Sequence, residues 1–323
     1  MYLVFDVGAS FIKYALMTAE GEIIEKSKVK TPMDDENTVE DFVGSIGEIY
    51  DEYKGKENIQ GIAMGLPGQI DVKRGIVYNG GGIRYLHGKN VQQLVEARCD
   101  NIPVSLENDG KCAALAEVWK GNAMNVKDAC VLVFGTGIGG ALIKNRKVIH
   151  GKHLLAGELS YIIEDMTREE LERLPEGEGL MEQENLINMV EKYPYTWSPK
   201  SSTYYLCYWV AKKKGLSPDE VTGEKVYQWE EEGDADTIEV LEETYFSIAK
   251  HCISLYVTFD PEVILIGGGI SAQPKFVQGI KRYVDKLKKL SNVYKDIKID
   301  SCRFLNDSNL LGALYNFKQK YGV

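Results

Sequence analysis

The stretch Val104-Ser105-Leu106-Glu107-Asn108-Asp109-Gly110-Lys111-Cys112-Ala113-Ala114 decides the fold, because a short apolar strand runs directly into a helix there. Asn108 and Asp109 lie at the junction, so Asp109 is expected at or near a helix N-terminus. An aspartate in that position either caps the first helical turn or carries chemistry, and capping is the commoner role of an isolated Asn-Asp pair. An apolar stripe of helical period follows and ends before Gly121; its members are Cys112, Leu115, Ala116 and Trp119.

Length and composition limit the classes of protein to consider. The chain has 323 residues, of which 44% are hydrophobic, and this predicts two domains with well-filled cores. The formal net charge of −10 argues against nucleic acid or an anionic membrane as the main partner, because both require clustered Lys and Arg. A negative net charge is still compatible with a local basic pocket that binds phosphate. The six cysteines show no CxxC spacing, so reduced and mostly buried thiols are expected.

The sequence gives no indication of export or of a membrane span. Met1 is followed at once by an apolar strand pattern rather than by a basic segment and a long apolar stretch, so no secretory signal is expected. No apolar run approaches the roughly 20 residues that are needed to span a bilayer. The expectation is therefore a soluble cytoplasmic protein.

Two parts of the chain repeat one pattern of apolar strand, small-residue turn, strand, polar turn and strand. The first part begins with Tyr2-Leu3-Val4-Phe5 and the turn Asp6-Val7-Gly8-Ala9-Ser10. The second begins with the apolar residues 129–134 and the turn Gly135-Thr136-Gly137-Ile138-Gly139-Gly140, followed by a strand from Ala141. An internal duplication is the simplest cause, and it predicts two similar α/β lobes that face each other across a cleft.

The remaining elements follow from periodicity and turn residues. The acidic stretch Glu164 to Glu191 predicts a mobile, mostly solvated insertion. Loops are expected at Gly65 to Asp71 and Asn79 to Ile83, where they follow predicted strands and could bind a ligand or serve only as turns. Helical spacing predicts helices over Thr38 to Tyr53, Val91 to Arg98, Thr203 to Lys214, Thr237 to Phe259 and Pro274 to Leu290, and a closing helix close-packed at Gly312.

The turns around Gly8 and Gly137 could both bind an anion, for the same physical reason. Small residues let the backbone approach an anion and point N–H groups at it, while the Ser10 or Thr136 hydroxyl adds a donor. Neither turn matches the P-loop or the dinucleotide fingerprint, because each opens a hairpin rather than a helix. Tight hairpin turns would also explain each set of glycines taken singly. Two such turns in duplicated units, with a third glycine cluster at residues 267–269, favour phosphate binding.

Together these motifs resemble the ROK sugar kinases (repressors, open reading frames and kinases), and the resemblance covers nearly the whole chain. Glu107-Asn108-Asp109 is similar to the sugar and catalytic motif, and Ala156-Gly157-Glu158-Leu159-Ser160-Tyr161 to the second sugar motif. The phosphate and adenosine motifs are matched by Asp6-x-Gly8-x-Ser10-x-x-Lys13, Gly135-Thr136-Gly137-x-Gly139-Gly140 and Gly267-Gly268-Gly269-Ile270.

The resemblance implies a two-lobed α/β protein with the actin-like ATPase (ribonuclease H-like) fold and duplicated βββαβα-type domains around a cleft. The first lobe would comprise residues 1–112, completed by a C-terminal helix over 306–323. The second would comprise residues 113–305, with the acidic insertion at about 162–200. It also implies ATP and Mg²⁺ as cofactors, a small sugar as substrate and a homodimer as the assembly.

The resemblance also implies roles for single residues. Asp109 is the expected catalytic base, which takes the proton of the attacking sugar hydroxyl. Asn108 and Glu158 would hold sugar hydroxyls, and Asp6 would act on Mg²⁺, directly or through water. Further sugar contacts are expected at Tyr161, Gly68, Gly81 and Gly82. Further ATP and phosphate contacts are expected at Gly8, Ser10, Lys13, Gly135, Thr136, Gly137, Gly139, Gly267, Gly268 and Gly269.

Two departures from the family pattern argue against a zinc site and against DNA binding. Zinc-binding members carry His at the position of Tyr161 and a Cys-rich cluster soon after it, whereas no Cys occurs here between Cys130 and Cys207, so no zinc site is expected. Repressor members carry a DNA-binding helical domain ahead of the first phosphate motif. That motif begins here at Asp6, so a DNA-binding role is not expected.

The implied activity is transfer of the γ-phosphate of ATP to the 6-hydroxyl of a glucose unit. With Tyr161 and no zinc cluster, the chain looks most like β-glucoside kinases, and we favour slightly a β-glucoside whose second sugar or aglycone stacks on Tyr161. The alternative is a glucokinase in which Tyr161 only fills the space of the histidine. A non-catalytic sugar sensor and an actin-like ATPase acting on a protein also stay open, although Asp109 argues against the first and Asn108 with Glu158 against the second.

Overall fold

The computed structural model describes residues 1–34, 36–181, 184–305 and 307–323. These residues form two compact units, each built on a five-stranded sheet with helices packed against it. The first unit comprises Met1–Lys127, Ile143–Ala156 and Arg303–Val323. The second comprises Asp128–Leu142 and Gly157–Cys302.

The strands divide between the two five-stranded sheets and a small two-stranded one. In the described residues they are β1 (Tyr2–Val7), β2 (Phe11–Met17), β3 (Ile23–Lys30), β4 (Gly61–Leu66), β5 (Gln69–Asp71), β6 (Ile76–Asn79), β7 (Val104–Asn108), β8 (Ala129–Phe134), β9 (Ile138–Lys144), β10 (Lys147–Val148), β11 (Val263–Gly267) and β12 (Ile299–Ser301).

The helices that the periodicity predicts are present with similar bounds. The helices of the described residues are α1 (Val39–Lys54), α2 (Val91–Arg98), α3 (Asp109–Lys120), α4 (Arg168–Glu172), α5 (Leu186–Lys192), α6 (Ser198–Ser201), α7 (Thr203–Lys214), α8 (Gly223–Glu231), α9 (Ala235–Phe259), α10 (Pro274–Leu287) and α11 (Ser308–Tyr321). Four short helices, α4, α5, α6 and α8, were not predicted. No helix in the described ranges has the length and apolar character that a membrane span requires.

The first sheet has the strand order β3-β2-β1-β4-β7. β1, β2 and β3 form an antiparallel meander, and β4 lies parallel to both β1 and β7. The C-terminal ends of β1, β4 and β7 therefore meet at one edge of the sheet. In open α/β sheets this is the edge at which ligands bind.

The second sheet repeats the order of the first, as β10-β9-β8-β11-β12. Its fourth strand, β11, lies parallel to both β8 and β12, as β4 does to β1 and β7. The core beneath it is formed by the long helix α9 with α7, α8 and α10. The repeated order is the duplication that the sequence pattern predicts.

Two predicted loops are partly strand. Gln69–Asp71 forms β5, which pairs with β6 across a bulge, so the predicted loop from Gly65 to Asp71 is reduced to a turn around Gly68. Gly140 lies inside β9 rather than in the turn before it. A Cβ on Gly140 would stand 2.8 Å from Leu159 Cδ1 and 3.0 Å from the Gly157 carbonyl oxygen. Close packing, not turn formation, explains that glycine.

The sequence places the end of the first lobe at residue 112, whereas the whole of α3 falls within the first unit. The physical reason is its packing on α11, where the Trp119 and Tyr315 rings stack with centroids 5.3 Å apart. α11 begins at Ser308, and residue 306 of the predicted closing helix lies outside the described residues.

Candidate functional site

Two carboxylates lie in one row at the C-terminal edge of the first sheet. Asp6 of β1 is in register with Gly65 of β4, and Gly65 is in register with Glu107 of β7. Residues in register on parallel strands project to the same face. Gly65 has no side chain, and Cys112 Sγ lies 3.3 Å from the position that its Cβ would take. The first phosphate motif and the Glu107-Asn108-Asp109 motif therefore share one edge.

The buried thiol of Cys112 is sensitive to the charge of both motifs. Burial raises its pKa well above the usual value, and the negative charges of Glu107, Asp109 and Asp6 raise it further, against a smaller opposing effect of Lys111. The carboxylates of the two motifs are thus within electrostatic reach of one buried atom.

Asp6 is buried and held from two sides. Its Oδ1 accepts a hydrogen bond from Asn309 Nδ2 at 2.9 Å, and its Oδ2 lies 3.2 Å from Lys13 Nζ. The turn that follows is closed by Gly8 N, which donates to Phe11 O at 3.0 Å. The structure thus brings Asp6 and Lys13 together, as the motif predicts. Asn309 of α11 was not identified from the sequence, because nothing distinguishes one asparagine in an amphipathic helix.

Asn108, not Asp109, caps helix α3. Asn108 Oδ1 accepts from Lys111 N at 3.1 Å, which is the N-cap hydrogen bond. Asp109 is the first helical residue, half-buried, and its Oδ1 accepts from Gly110 N at 2.8 Å. The capping interpretation of Asp109 is therefore wrong. The cap falls one residue earlier because the strand ends at Asn108.

The two glycine-rich loops of the first unit meet at Asn108. A Cβ on Gly68 would stand 1.9 Å from Asn79 O and 2.9 Å from Gly81 N, so only glycine fits at that turn, where φ is +91°. Gly81 N donates to Asn79 Oδ1 at 2.9 Å, and Asn108 Nδ2 donates to Gly68 O at 3.0 Å. Three of the predicted sugar contacts, Gly68, Gly81 and Asn108, thus form one group, and Gly82 follows directly in the same loop.

Glu107 pairs with a histidine that the sequence analysis missed. His150 Nε2 lies 3.1 Å and 2.9 Å from the two carboxylate oxygens of Glu107, and Glu107 Oε1 also accepts from Asn108 N at 2.8 Å. Glu107 is only 1% exposed, so a partner for its charge matters. One sequence signal could have identified His150: it is one of only four histidines and directly follows the second predicted hairpin.

The turn between β8 and β9 in the second unit is held from outside by hydroxyl groups. Ser160 Oγ accepts from Ile138 N at 3.0 Å and donates to Ile138 O at 2.7 Å. Ser202 Oγ donates to Thr136 O at 2.9 Å. The N–H groups of Thr136 and Gly137 have no acceptor within the described part of the chain. A turn that is fixed in this way presents donors to an anion.

Gly268 holds the third glycine cluster against the same strand end. Its φ is +89°, and a Cβ would stand 2.1 Å from Phe134 O, the last residue of β8. No other residue fits there without moving the backbone. The turn Gly267 to Gly269 consequently lies beside the start of the Gly135 to Gly137 turn, so the predicted adenosine and phosphate motifs come together.

Glu158 and Tyr161 occupy a short 3-10 turn, Leu159–Tyr161, whose N-cap is Glu158. Gly157 before it has φ of +86° and packs on Gly140 and Ala141 of β9. Glu158 is half-buried, whereas Tyr161 is 56% exposed. The second sugar motif therefore packs against β9, the strand that follows the Gly135 to Gly137 turn.

The described residues also bear on metal binding. No group of three or more His, Cys, Asp or Glu side chains gathers there in a way that could hold an ion. The sequence-based expectation that zinc is absent stays a prediction for metal analysis.

Comparison with known proteins agrees with this geometry. The ROK family profile matches residues 2–195 and 200–320. A β-glucoside kinase of Listeria monocytogenes is 29% identical over 317 residues, covering 98% of this chain and 97% of the relative. A glucokinase of Halalkalibacterium halodurans is 26% identical over 335 residues, covering 99% and 95%. A crystal structure of a ROK family protein from Streptococcus pneumoniae, in complex with sucrose, superposes with a TM-score of 0.80 at 29% identity, covering 99% of both chains.

The fold is the actin-like ATPase fold. The family profile and the relatives named as kinases place the chain in the class of carbohydrate kinases. Within that class, the chain belongs to the ROK family.

Proposed function

We propose that the chain transfers the γ-phosphate of ATP to the 6-hydroxyl of a glucose unit, with a slight preference for a β-glucoside over free glucose. The observation that carries the proposal is the row formed by Asp6, Gly65 and Glu107. It brings the first phosphate motif to the same sheet edge as Asp109. Phosphoryl transfer depends chiefly on positioning and charge neutralisation, and this edge supplies a carboxylate for each task.

Asp109 is the proposed base. A sugar hydroxyl is a weak nucleophile at neutral pH, and a carboxylate within hydrogen-bond reach accepts its proton as attack proceeds, which contributes about 10² to 10⁴ in rate. The helix cap at Asn108 fixes the backbone of Asp109 at the start of α3. The Asn108 amide keeps one lone pair and one N–H for a ligand. Together with Glu158, it is proposed to hold sugar hydroxyls.

ATP and Mg²⁺ are the proposed cofactors, and the residues present fit them. The N–H groups of Thr136 and Gly137 suit phosphate oxygens, and Gly268 leaves the turn beside them without a side chain. The Asp6 carboxylate suits Mg²⁺, which prefers oxygen ligands and retains water. The metal would neutralise charge on the phosphates. Ser10, Lys13, Gly139, Gly267 and Gly269 complete the proposed nucleotide contacts.

The preference for a β-glucoside rests on Tyr161. Tyr161 is 56% exposed, and an exposed aromatic side chain can stack on a second ring beyond the anomeric carbon. The Listeria relative is named a β-glucoside kinase, which supports this choice, and the Halalkalibacterium relative is named a glucokinase, which keeps the alternative open. A homodimer in the cytoplasm, without nucleic acid or a membrane as partner, completes the proposal.

A coupled assay for ADP release tests the proposal, with glucose, cellobiose, gentiobiose and an aryl β-glucoside as acceptors and with no sugar. The expected result is sugar-dependent release with the highest kcat/KM for one of the β-glucosides. The product from glucose should be oxidised by glucose-6-phosphate dehydrogenase, which identifies the 6-hydroxyl as acceptor.

Each contrary outcome selects an alternative. A hundredfold preference for glucose over all three glucosides would leave a glucokinase. Release without sugar would indicate an ATPase that acts with a protein partner. Sugar binding without release would indicate a sensor.

A further inference from the structure

A pocket of about 180 Å³ lies in the second unit, where the second sugar motif ends. Tyr161 and Ser160 of the 3-10 turn form one side of it, and Thr136 and Gly137 lie at another. The rest of the wall is largely apolar and comes from the segment after that turn; it includes Met181, Leu186, Met189 and Tyr205. Thr136, Gly137 and Tyr161 belong to the proposed phosphate and sugar contacts, whereas the apolar part of the wall has no role in the proposed transfer to glucose.

The side of the pocket that carries Thr196 is anchored to the core of the second unit. Ile163 and Thr196 form an antiparallel bridge, and Trp197 N donates to Ile162 O at 2.8 Å, so the two ends of the acidic insertion are paired. The Trp197 ring is fully buried and packs edge-on against Phe134. The pocket is therefore preformed on rigid elements.

Thr196 lines this pocket, and its hydroxyl lacks a hydrogen-bond partner in the described structure. Thr196 is only 7% exposed, and its Oγ1 is fully buried. A buried hydroxyl without a partner is unfavourable, and native proteins rarely retain one unless a ligand or water satisfies it. The missing partner of Thr196 Oγ1 is observed independently of the cavity. It indicates a ligand that carries hydrogen-bonding groups.

Charge and size limit the ligand. None of the described side chains that line the pocket carries a charge, so an ion is disfavoured against its apolar wall, away from the N–H groups of Thr136 and Gly137. The volume of about 180 Å³ is well below the roughly 300–1,000 Å³ of pockets that bury a drug-sized ligand, so it suits a single ring rather than a nucleotide. An uncharged ring with apolar faces and hydroxyls on its rim is the description of a pyranose.

We propose that this pocket is the subsite for the second sugar unit of a β-linked disaccharide, with Tyr161 and Met189 against the ring and Thr196 Oγ1 hydrogen-bonded to one of its hydroxyls. The inference rests on the proposed function, because it assumes that the glucose unit is held at Glu158. It makes Thr196 and Met189 residues that determine specificity for the acceptor and that take no part in phosphoryl transfer.

Thr196→Val and Met189→Trp test the subsite in the full-length protein. The valine variant keeps the side-chain shape but cannot hydrogen-bond, so kcat/KM for cellobiose should fall about three- to tenfold, while phenyl β-glucoside, which has no hydroxyl on its second ring, should be unaffected. The tryptophan variant fills the pocket and should lower kcat/KM at least tenfold for both glucosides. Glucose should be phosphorylated at the wild-type rate by both variants.

Thr203→Val is the matched control, because Thr203 Oγ1 is also buried without a partner but does not line the pocket. It should leave all three acceptors unchanged. Thr196→Val should not lower Tm, whereas a purely structural role of the hydroxyl would lower it.

Calorimetric titration of the nucleotide-free variants with glucose, cellobiose and phenyl β-glucoside separates this inference from the proposed activity. If no acceptor is phosphorylated but Thr196→Val weakens cellobiose binding selectively, the proposed function fails and the subsite stands. Equal losses for glucose and cellobiose would overturn the subsite. An increased KM for ATP with unchanged glucoside kinetics would overturn it too, since the pocket would then serve the nucleotide.

Discussion

Gly312 of α11 lies so close to Cys112 of α3 that a Cβ at residue 312 would stand 1.7 Å from the Cys112 carbonyl oxygen. The two helices can approach this closely only because residue 312 has no side chain. Asn309 lies one helical turn before Gly312 and donates to Asp6. The helix contact therefore sets the position of the amide that holds the first carboxylate of the site.

Gly312→Ala should destabilise the protein by about 1–3 kcal/mol, because the added methyl group has no space and the helices must separate. Urea unfolding provides the measurement. Gly44→Ala is the control: Gly44 lies within α1, a Cβ there would have nothing within 4 Å, and alanine should stabilise by up to about 1 kcal/mol. Equal effects of the two substitutions would contradict the packing argument.

Much of the fold follows from local pattern. The helices Val91–Arg98 and Thr203–Lys214 have the bounds that their apolar spacing predicts, and the close packing expected at Gly312 is confirmed. The bounds of β3 could not be predicted, because most of its residues are exposed and no apolar pattern marks them. β5 is too short to be distinguished from a loop by its sequence.

The site was predictable only where residues lie in motifs. Asp6 and Lys13 are seven residues apart, and the hairpin pairing brings them into direct register. Asn309 reaches Asp6 from 303 positions away, and His150 reaches Glu107 from 43, so tertiary folding alone creates these contacts. The acidic stretch from Glu164 was predicted to be mostly solvated, and for Glu164 itself this is wrong.

Glu164 is 7% exposed, forms an ion pair with Lys250 Nζ at 2.9 Å and lies 3.2 Å from His251 Nε2. Burial acts to raise the pKa of the carboxyl group, but the interactions with His251 and Lys250 outweigh it and lower the pKa from 4.5 to about 2. A lowered carboxyl pKa stabilises the folded state above the unfolded-state value, and that stability is lost as the pH falls from about 5 towards 2.

Glu164→Gln should therefore cost stability, of order 2–4 kcal/mol, at pH 6–8, and the difference from wild type should shrink below pH 5. Urea titrations at intervals of one pH unit measure this difference. A difference that stays constant down to pH 3 would show that packing, not the charge of Glu164, stabilises the insertion. Glu169→Gln on the exposed face of α4 is the control and should have little effect at any pH.

Purified protein is expected to contain no stoichiometric zinc, and EDTA should not lower its Tm. The reason is that backbone pairing at Thr196, the Trp197 ring and the ion pair of Glu164 anchor the insertion without a metal. Elemental analysis by mass spectrometry and thermal unfolding with and without EDTA measure both quantities. One equivalent of zinc per chain would overturn this prediction.

The Cys112 thiol should resist alkylation in the native protein. It is fully buried, and the neighbouring carboxylates further disfavour the thiolate, which is the reactive form. Cys207 is 9% exposed, and burial raises the pKa of its thiol to about 11, so it should react sooner. Peptide mapping after timed iodoacetamide treatment gives the order. Modification of Cys112 before Cys207 would contradict the electrostatic arrangement around Gly65.

Asp109→Asn tests the proposed base. The amide has the shape of the carboxylate, and its Oδ1 can still accept the hydrogen bond from Gly110 N, so the start of α3 should be preserved. Sugar affinity should then stay within a few-fold of wild type, while kcat falls by about 10² or more because an amide does not take the proton. Steady-state kinetics combined with calorimetric sugar binding separates the two effects. Near-normal turnover would remove Asp109 from the chemistry, and a parallel loss of sugar affinity and kcat would make it a binding residue instead.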